Sequence, residues 1–159
     1  MITLETIVAY TDFNRLPVIC LSSISCGLIF GLIFIRTQDK RVASEITSIA
    51  HHVLVVALAL LTICEHWERI LEDSALSLSQ RFYLVNTIQW INIGYFVYDS
   101  VNAVVWEHNF IIHHAVALLG FGIFDFSGRG GLGNSVNTLI TEIGSIAYNF
   151  YNKNKSPRN

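Results

Sequence analysis

Charge is what this chain has least of. Only 14% of its 159 residues are Asp, Glu, Lys or Arg, against about 25% in ordinary soluble domains, and the deficit argues against a water-soluble domain. The charges collect in short runs between apolar blocks, the pattern of a chain that crosses a membrane repeatedly. Neither sign dominates: ten basic against twelve acidic residues give a formal net charge of −2, with no basic stripe for a nucleic acid. Cysteine is scarce too. Cys20, Cys26 and Cys64 show no Cys-x-x-Cys or other ligand spacing and read as small buried hydrophobes. A small-x-small cleavage site is also missing around the first apolar run, which follows Asp12 and Arg15, so a retained anchor is expected. The six histidines are too few, and His108-x4-His113-His114 is the wrong spacing, for a histidine-rich redox metal site; no metal and no cofactor is expected.

What is present is apolar length. A hydrocarbon core of ~30 Å asks for about 20 helical residues, and five segments approach that: 16–35, 45–64, 83–105, 110–126 and 135–151. The fold class expected is therefore all-α, a polytopic membrane helix bundle of about five spans. Pro17 falls at the start of the first span, where a missing N–H costs little. RTQDKR (36–41) makes a basic loop, and EHWERILEDSALSLSQR (65–81) a polar stretch along the surface. A short WEHN turn (106–109) joins spans three and four, and the glycines of FSGRGGLGN (126–134) break the chain before span five. The organisation expected is an N-terminal segment 1–15, a membrane domain 16–151 and a basic tail 152–159.

Orientation follows from Lys and Arg. Arg36, Lys40 and Arg41 in the first loop, with Lys153, Lys155 and Arg158 in the tail, hold six of the ten basic residues. With five spans they share one side, expected to be cytoplasmic.

Inside the spans polar residues recur at helical spacing. Asn92, Tyr95, Asp99, Asn102 and Trp106 share one face of span three; Thr138, Glu142, Ser145 and Asn149 share one face of span five; Ser44, Ser48 and His51 or His52 make a shorter stripe on span two. Three such helices most simply surround a shared interior site, with His113 or His114 of span four looking into it. Neighbouring histidines differ by about 100° around a helix, so one of each pair is expected to face inward. Buried Asn, Ser and Thr often serve only as interhelical hydrogen bonds. Asp99 and Glu142 demand more, because a carboxylate in low dielectric needs a donor or a proton. Asp99 precedes the end of its helix by about two turns and His113 and His114 follow the turn, so antiparallel packing brings a carboxylate and an imidazole to similar depth. Such a carboxylate fixes the imidazole tautomer and raises its basicity.

These residues carry a resemblance. VASEITSIAHHVLVV (42–56), with His51, GYFVYDSV (94–101), ending near Asp99, the paired-histidine helix FIIHHAVALLG (110–120) and, more weakly, NTLITEIGSIAYNF (137–150), with Glu142, resemble in order the TLC domain family shared by TRAM and the ceramide synthases. The likeness is closest to the small TLC domain-containing transmembrane proteins and covers roughly residues 36–151. The family's usual further spans do not follow, so the chain looks shortened at its C-terminal end. FSGRGGLGNSVNTLITE (126–142) holds only a faint echo, at Arg129 and Gly130, of the ceramide synthase segment, and no His-Asp-x-x-Asp.

Three functional readings remain open. The resemblance implies a multi-pass protein of the endoplasmic reticulum or plasma membrane that influences lipid composition through an interior lipid-binding site, with membrane lipids as partners and Asn92, Tyr95, Asn102, Trp106 and Glu142 lining it. Alternatively it implies an acyl-CoA-dependent N-acyltransferase, in which His113 or His114 is base or acyl-accepting nucleophile, Asp99 orients it and His51 completes the wall. Arg36, Lys40 and Arg41 would then stand near the nucleotide phosphates. The third reading is an inactive structural membrane fragment. The orientation has a direct test. In a background without native cysteines, Gln38→Cys and Ser156→Cys should both react with an impermeant maleimide only from the cytoplasmic side; opposite protection of the two overturns the five-span arrangement.

Overall fold

The structure, a computed structural model, describes residues 4–70, 83–106, 111–127 and 131–155. Among these residues every element is a helix: α1 (Leu4–Thr37), α2 (Lys40–Glu65), the short α3 (Trp67–Ile70), α4 (Tyr83–Trp106), α5 (Ile111–Ser127) and α6 (Gly131–Lys155). The WEHN turn beyond Trp106, most of the polar stretch before Tyr83 and the end of the basic tail lie outside the described residues.

Three boundaries differ from expectation. The first helix begins at Leu4, so Pro17 stands inside it rather than at its start. Proline removes one backbone hydrogen bond, but the helix carries on through it. The basic loop shrinks to Gln38 and Asp39, with Arg36 in the last turn of α1 and Lys40 and Arg41 opening α2. Gln38 adopts a left-handed φ of 55° and its N–H donates to Phe34 O at 2.8 Å, which closes α1. Asp39 Oδ1 then accepts from the N–H groups of Arg41 (2.9 Å) and Val42 (3.2 Å), capping α2. Finally, α6 starts at Gly131, inside the stretch expected to be a glycine break.

By length and composition Arg15–Thr37 and Lys40–Glu65 suffice to cross a membrane, and Ile111–Phe124 is a shorter apolar helix. The distribution of polarity is that of a chain in lipid. Among the described residues ten apolar and ten polar or charged side chains are buried, while Leu21, Leu32, Ile112, Val116, Leu119 and Ile140 are largely exposed. In water such apolar surface would exceed what a monomer shows; against hydrocarbon it carries no penalty, and the polar groups withdraw inside.

The bundle is organised around α4, which packs against α1, α2, α5 and α6. α2 is also enclosed on several sides, by α1, α4 and α6, whereas α5 packs on α4 and on no other described helix. The α1–α4 crossing depends on small residues. A Cβ on Gly94 would lie 2.4 Å from Ile19 O and 2.6 Å from Ser22 Cβ, and at that approach Ser22 Oγ donates to Ile91 O at 2.9 Å. Backbones can meet this closely only where a side chain is missing. Gly94→Ala should therefore force the helices apart and cost about 1–3 kcal/mol, read as a lower thermal midpoint in detergent. Gly144→Ala, with nothing within 4 Å of the added carbon, should be neutral or slightly stabilising because alanine is the better helix former; equal effects of the two would overturn the close-approach explanation.

Candidate functional site

The polar stripes of α2, α4 and α6 converge. From α2 come His51 and His52, both buried, with ring centroids 5.4 Å apart. The expectation that only one of this pair faces inward is corrected: α2 is covered on three sides, so a 100° offset still leaves both rings among protein atoms. From α4 come Asn92 and Tyr95, also buried. The Tyr95 ring lies flat on His51, with centroids 3.9 Å apart and planes 8° from parallel, which fixes the imidazole. From α6 comes Glu142, only 6% exposed, and its Oε2 contacts His52 Nδ1.

The other nitrogen of His52 is held as well. Nε2 shares a 3.0 Å hydrogen bond with Ser48 Oγ, one helical turn earlier, and Ser48 in turn lies within hydrogen-bonding reach of Tyr95. A polar chain thus runs from Tyr95 through Ser48 and His52 to Glu142 and ties three helices together. His51 stands beside it. Asn92 reaches toward His51, yet His51 Nε2 and Asn92 Oδ1 are buried and find no hydrogen-bond partner among the described residues; Ser135 Oγ on α6 is a third such atom.

A second centre lies at the α4–α5 interface. His114 Nε2 stands 2.7 Å from Asp99 Oδ2, within hydrogen-bond distance and at the depth that antiparallel packing implies. His114 is buried and His113 exposed, as the 100° offset requires on a helix with a single neighbour. Gln89 Nε2 donates to Phe121 O at 3.0 Å and fixes the register of the same two helices. Phe96 fills the wedge, its ring 5.7 Å from His114 and 5.2 Å from Phe121. The expected single interior therefore divides. Because α5 touches α4 alone among the described helices, His114 meets Asp99 there and does not join the wall built by His51, with Tyr95 and Phe96 edge to face between them at 5.7 Å.

Asn102, half-buried, uses its Nδ2 on Tyr98 Oη at 2.7 Å, a bond within α4. The side chains of Trp106 and Asn149 lie outside the described residues. Sequence reasoning fastened on His51 and left Glu142 without a named partner, whereas the structure gives that acid to His52. The available signal was the i,i+4 spacing of Ser48 and His52, a hydroxyl set to hold one imidazole nitrogen. One nitrogen from each of His51 and His52 and an oxygen of Glu142 all lie within 4.8 Å of one another, a set that no spacing could display because Glu142 follows His52 by 90 residues.

The family model described as TLC domain matches residues 41–151, well over half of the chain. No curated protein and no solved structure matches it.

The His52–Glu142 contact yields a graded expectation. Glu142→Gln retains a hydrogen-bonding partner for His52 and should lower stability by no more than about 1 kcal/mol. Glu142→Leu leaves the imidazole buried and unpaired and should cost about 3–5 kcal/mol, most of it recovered in the double variant His52→Phe/Glu142→Leu. Thermal unfolding in detergent reads all three; additive losses in the double variant would show that the two side chains are not coupled.

Proposed function

Because the chain belongs to the TLC domain family, we propose that it is a multi-pass membrane protein that binds and handles membrane lipids and so adjusts lipid composition. α1, α2, α4, α5 and α6 would form five spans in the endoplasmic reticulum or plasma membrane, with the Gln38 turn and the basic tail on the cytoplasmic side. The observation that carries the lipid reading is the Asp99–His114 pair. A hydrogen-bonded carboxylate and imidazole, 23% and 9% exposed at their side chains, stand at the junction of two helices whose outer faces are apolar. Acyl chains can lie along Ile112, Val116 and Leu119, while a headgroup carrying hydroxyl, amide or amine functions can exchange hydrogen bonds with Asp99 and His114.

The same pair favours a second reading. An imidazole bonded to a carboxylate is the arrangement a general base requires, so acyl transfer from an acyl-CoA to an amine would use His114 as base and Asp99 to orient it, with Asn102 a helical turn away. The absence of a His-Asp-x-x-Asp segment in the sequence weighs against this chemistry.

Expression of the protein in cells, followed by lipid mass spectrometry, tests the proposal. The wild-type chain should shift lipid composition and retain lipid on detergent purification. Asp99→Asn and His114→Ala should each remove at least most of the shift at unchanged protein level. Unaltered shifts in both variants would overturn the role of the pair, and absence of any shift or retained lipid in the wild type would overturn the lipid reading. Retention of an acyl-CoA or a sphingoid base would favour the acyltransferase.

A further inference from the structure

The His51–His52–Glu142 cluster is not used by the lipid reading, and its chemistry points elsewhere. Two imidazoles and a carboxylate, all buried, converge from α2 and α6 with their donor atoms within 4.8 Å of one another. Ligand atoms around a zinc ion lie about 2.0–2.2 Å from it and hence about 3.5 Å from each other in a tetrahedron. Small side-chain adjustments would bring the three donors to that spacing.

Two further buried atoms, one of them on His51 itself, lack a partner among the described residues. His51 Nε2 is buried without a hydrogen-bond partner among the described residues, and so is Asn92 Oδ1 on the facing helix α4. Both have a lone pair to offer when the imidazole is neutral. A protein interior rarely strands two such atoms; an Nε2–H of His51 turned to Asn92 Oδ1 would satisfy them, and so would a cation held between them. Asn92 is 2% exposed and His51 5%, so bulk water does not satisfy them.

The surroundings are those of a metal ligand's supporting shell. A metal-bound histidine usually engages its other ring nitrogen with an oxygen, which sets the tautomer and aims the ligating lone pair. His52 does this with Ser48 Oγ at 3.0 Å. If Nε2–H donates there, the Nδ1 lone pair faces the Glu142 carboxylate, and two electron-rich groups can meet only with a positive charge between them. A proton is one solution; a divalent ion is the other, and the same ion can also take the lone pairs of His51 and Asn92. The Tyr95 ring holds the His51 plane in place.

We propose that His51, His52 and Glu142 form a divalent-metal site of zinc type, with Asn92 Oδ1 as the fourth ligand, locking α2, α4 and α6 together. Two neutral nitrogens and one carboxylate suit zinc, whereas magnesium and calcium prefer oxygen. Binding replaces the proton that His52 and Glu142 otherwise share and releases it to solvent. The site is independent of Asp99–His114, so the lipid reading stands or falls separately.

The full chain, purified in detergent, stripped with chelator and exposed to zinc chloride, provides the test. After desalting, elemental analysis should find one zinc per chain, and zinc should raise the thermal midpoint of the stripped protein. Glu142→Gln and His51→Ala should each weaken zinc binding by at least roughly tenfold, while Glu65→Gln, exposed at the end of α2, should bind as wild type. Cobalt chloride added to stripped wild-type protein should give the visible bands of a four-coordinate site, displaced by zinc; this readout needs no variant to fold. Substoichiometric zinc in folded wild-type protein, no visible cobalt bands, or unchanged binding in both ligand variants would overturn the site and leave a proton as what joins His52 to Glu142.

Discussion

A carboxylate withdrawn from water must be given a donor, and in this chain that requirement decides which helices belong together. Removing an ion from water costs several kcal/mol even after relaxation, more than a helix crossing of small residues returns. Glu142 and Asp99 each recover that cost through an imidazole on a different helix: His52 on α2 for Glu142, His114 on α5 for Asp99. α6 is thereby matched to α2, and α5 to α4. A slip of one residue along either contact would turn the acid about 100° away from its imidazole, so the two pairs set register as well as neighbourhood. Packing alone could not, since the apolar side chains of these helices are equally content against a neighbour or against hydrocarbon.

The number of neighbours then determines how much of each stripe becomes interior. α2, enclosed by three helices, buries both histidines of its pair; α5, supported by one, buries His114 and exposes His113. The same two-residue motif has opposite outcomes for that reason alone. The α1–α4 contact shows the complementary device. Gly94 and Ser22 let two backbones approach until a side-chain hydroxyl can bond a carbonyl of the facing helix, which holds α1 without any charge.

Much of the architecture was legible in the sequence because hydropathy and helical period are local signals. The ends of the second, third and fourth spans fall within a few residues of α2, α4 and α5. The family is legible as well, since its four segments lie in order along the chain. Boundaries failed where a local rule met a non-local one: Pro17 and the glycines after Arg129 are breakers by themselves, yet α1 runs through the first and α6 begins among the second. At the site, the Asp99–His114 contact could be anticipated because so few residues separate the two helices along the chain. Glu142 could not be assigned to His52, since nothing along the chain says which of two adjacent histidines a helix 90 residues away will meet. Nor could the stripes reveal that Tyr95 and Phe96 separate the two centres, because that depends on α5 lying on only one side of α4.

That one-sided attachment of α5 has a directional consequence. On the lipid reading proposed above, a molecule moving in the plane of the bilayer would reach Asp99 and His114 by parting the α4–α5 seam that Phe96, Phe121 and the Gln89 bond to the Phe121 carbonyl close among the described residues. Glu142, His51 and His52 sit behind the joints of three helices at once. The fold therefore sets two polar centres at unequal depths: behind one helix joint for the first, which would serve as a lateral doorway on that reading, and behind three for the second.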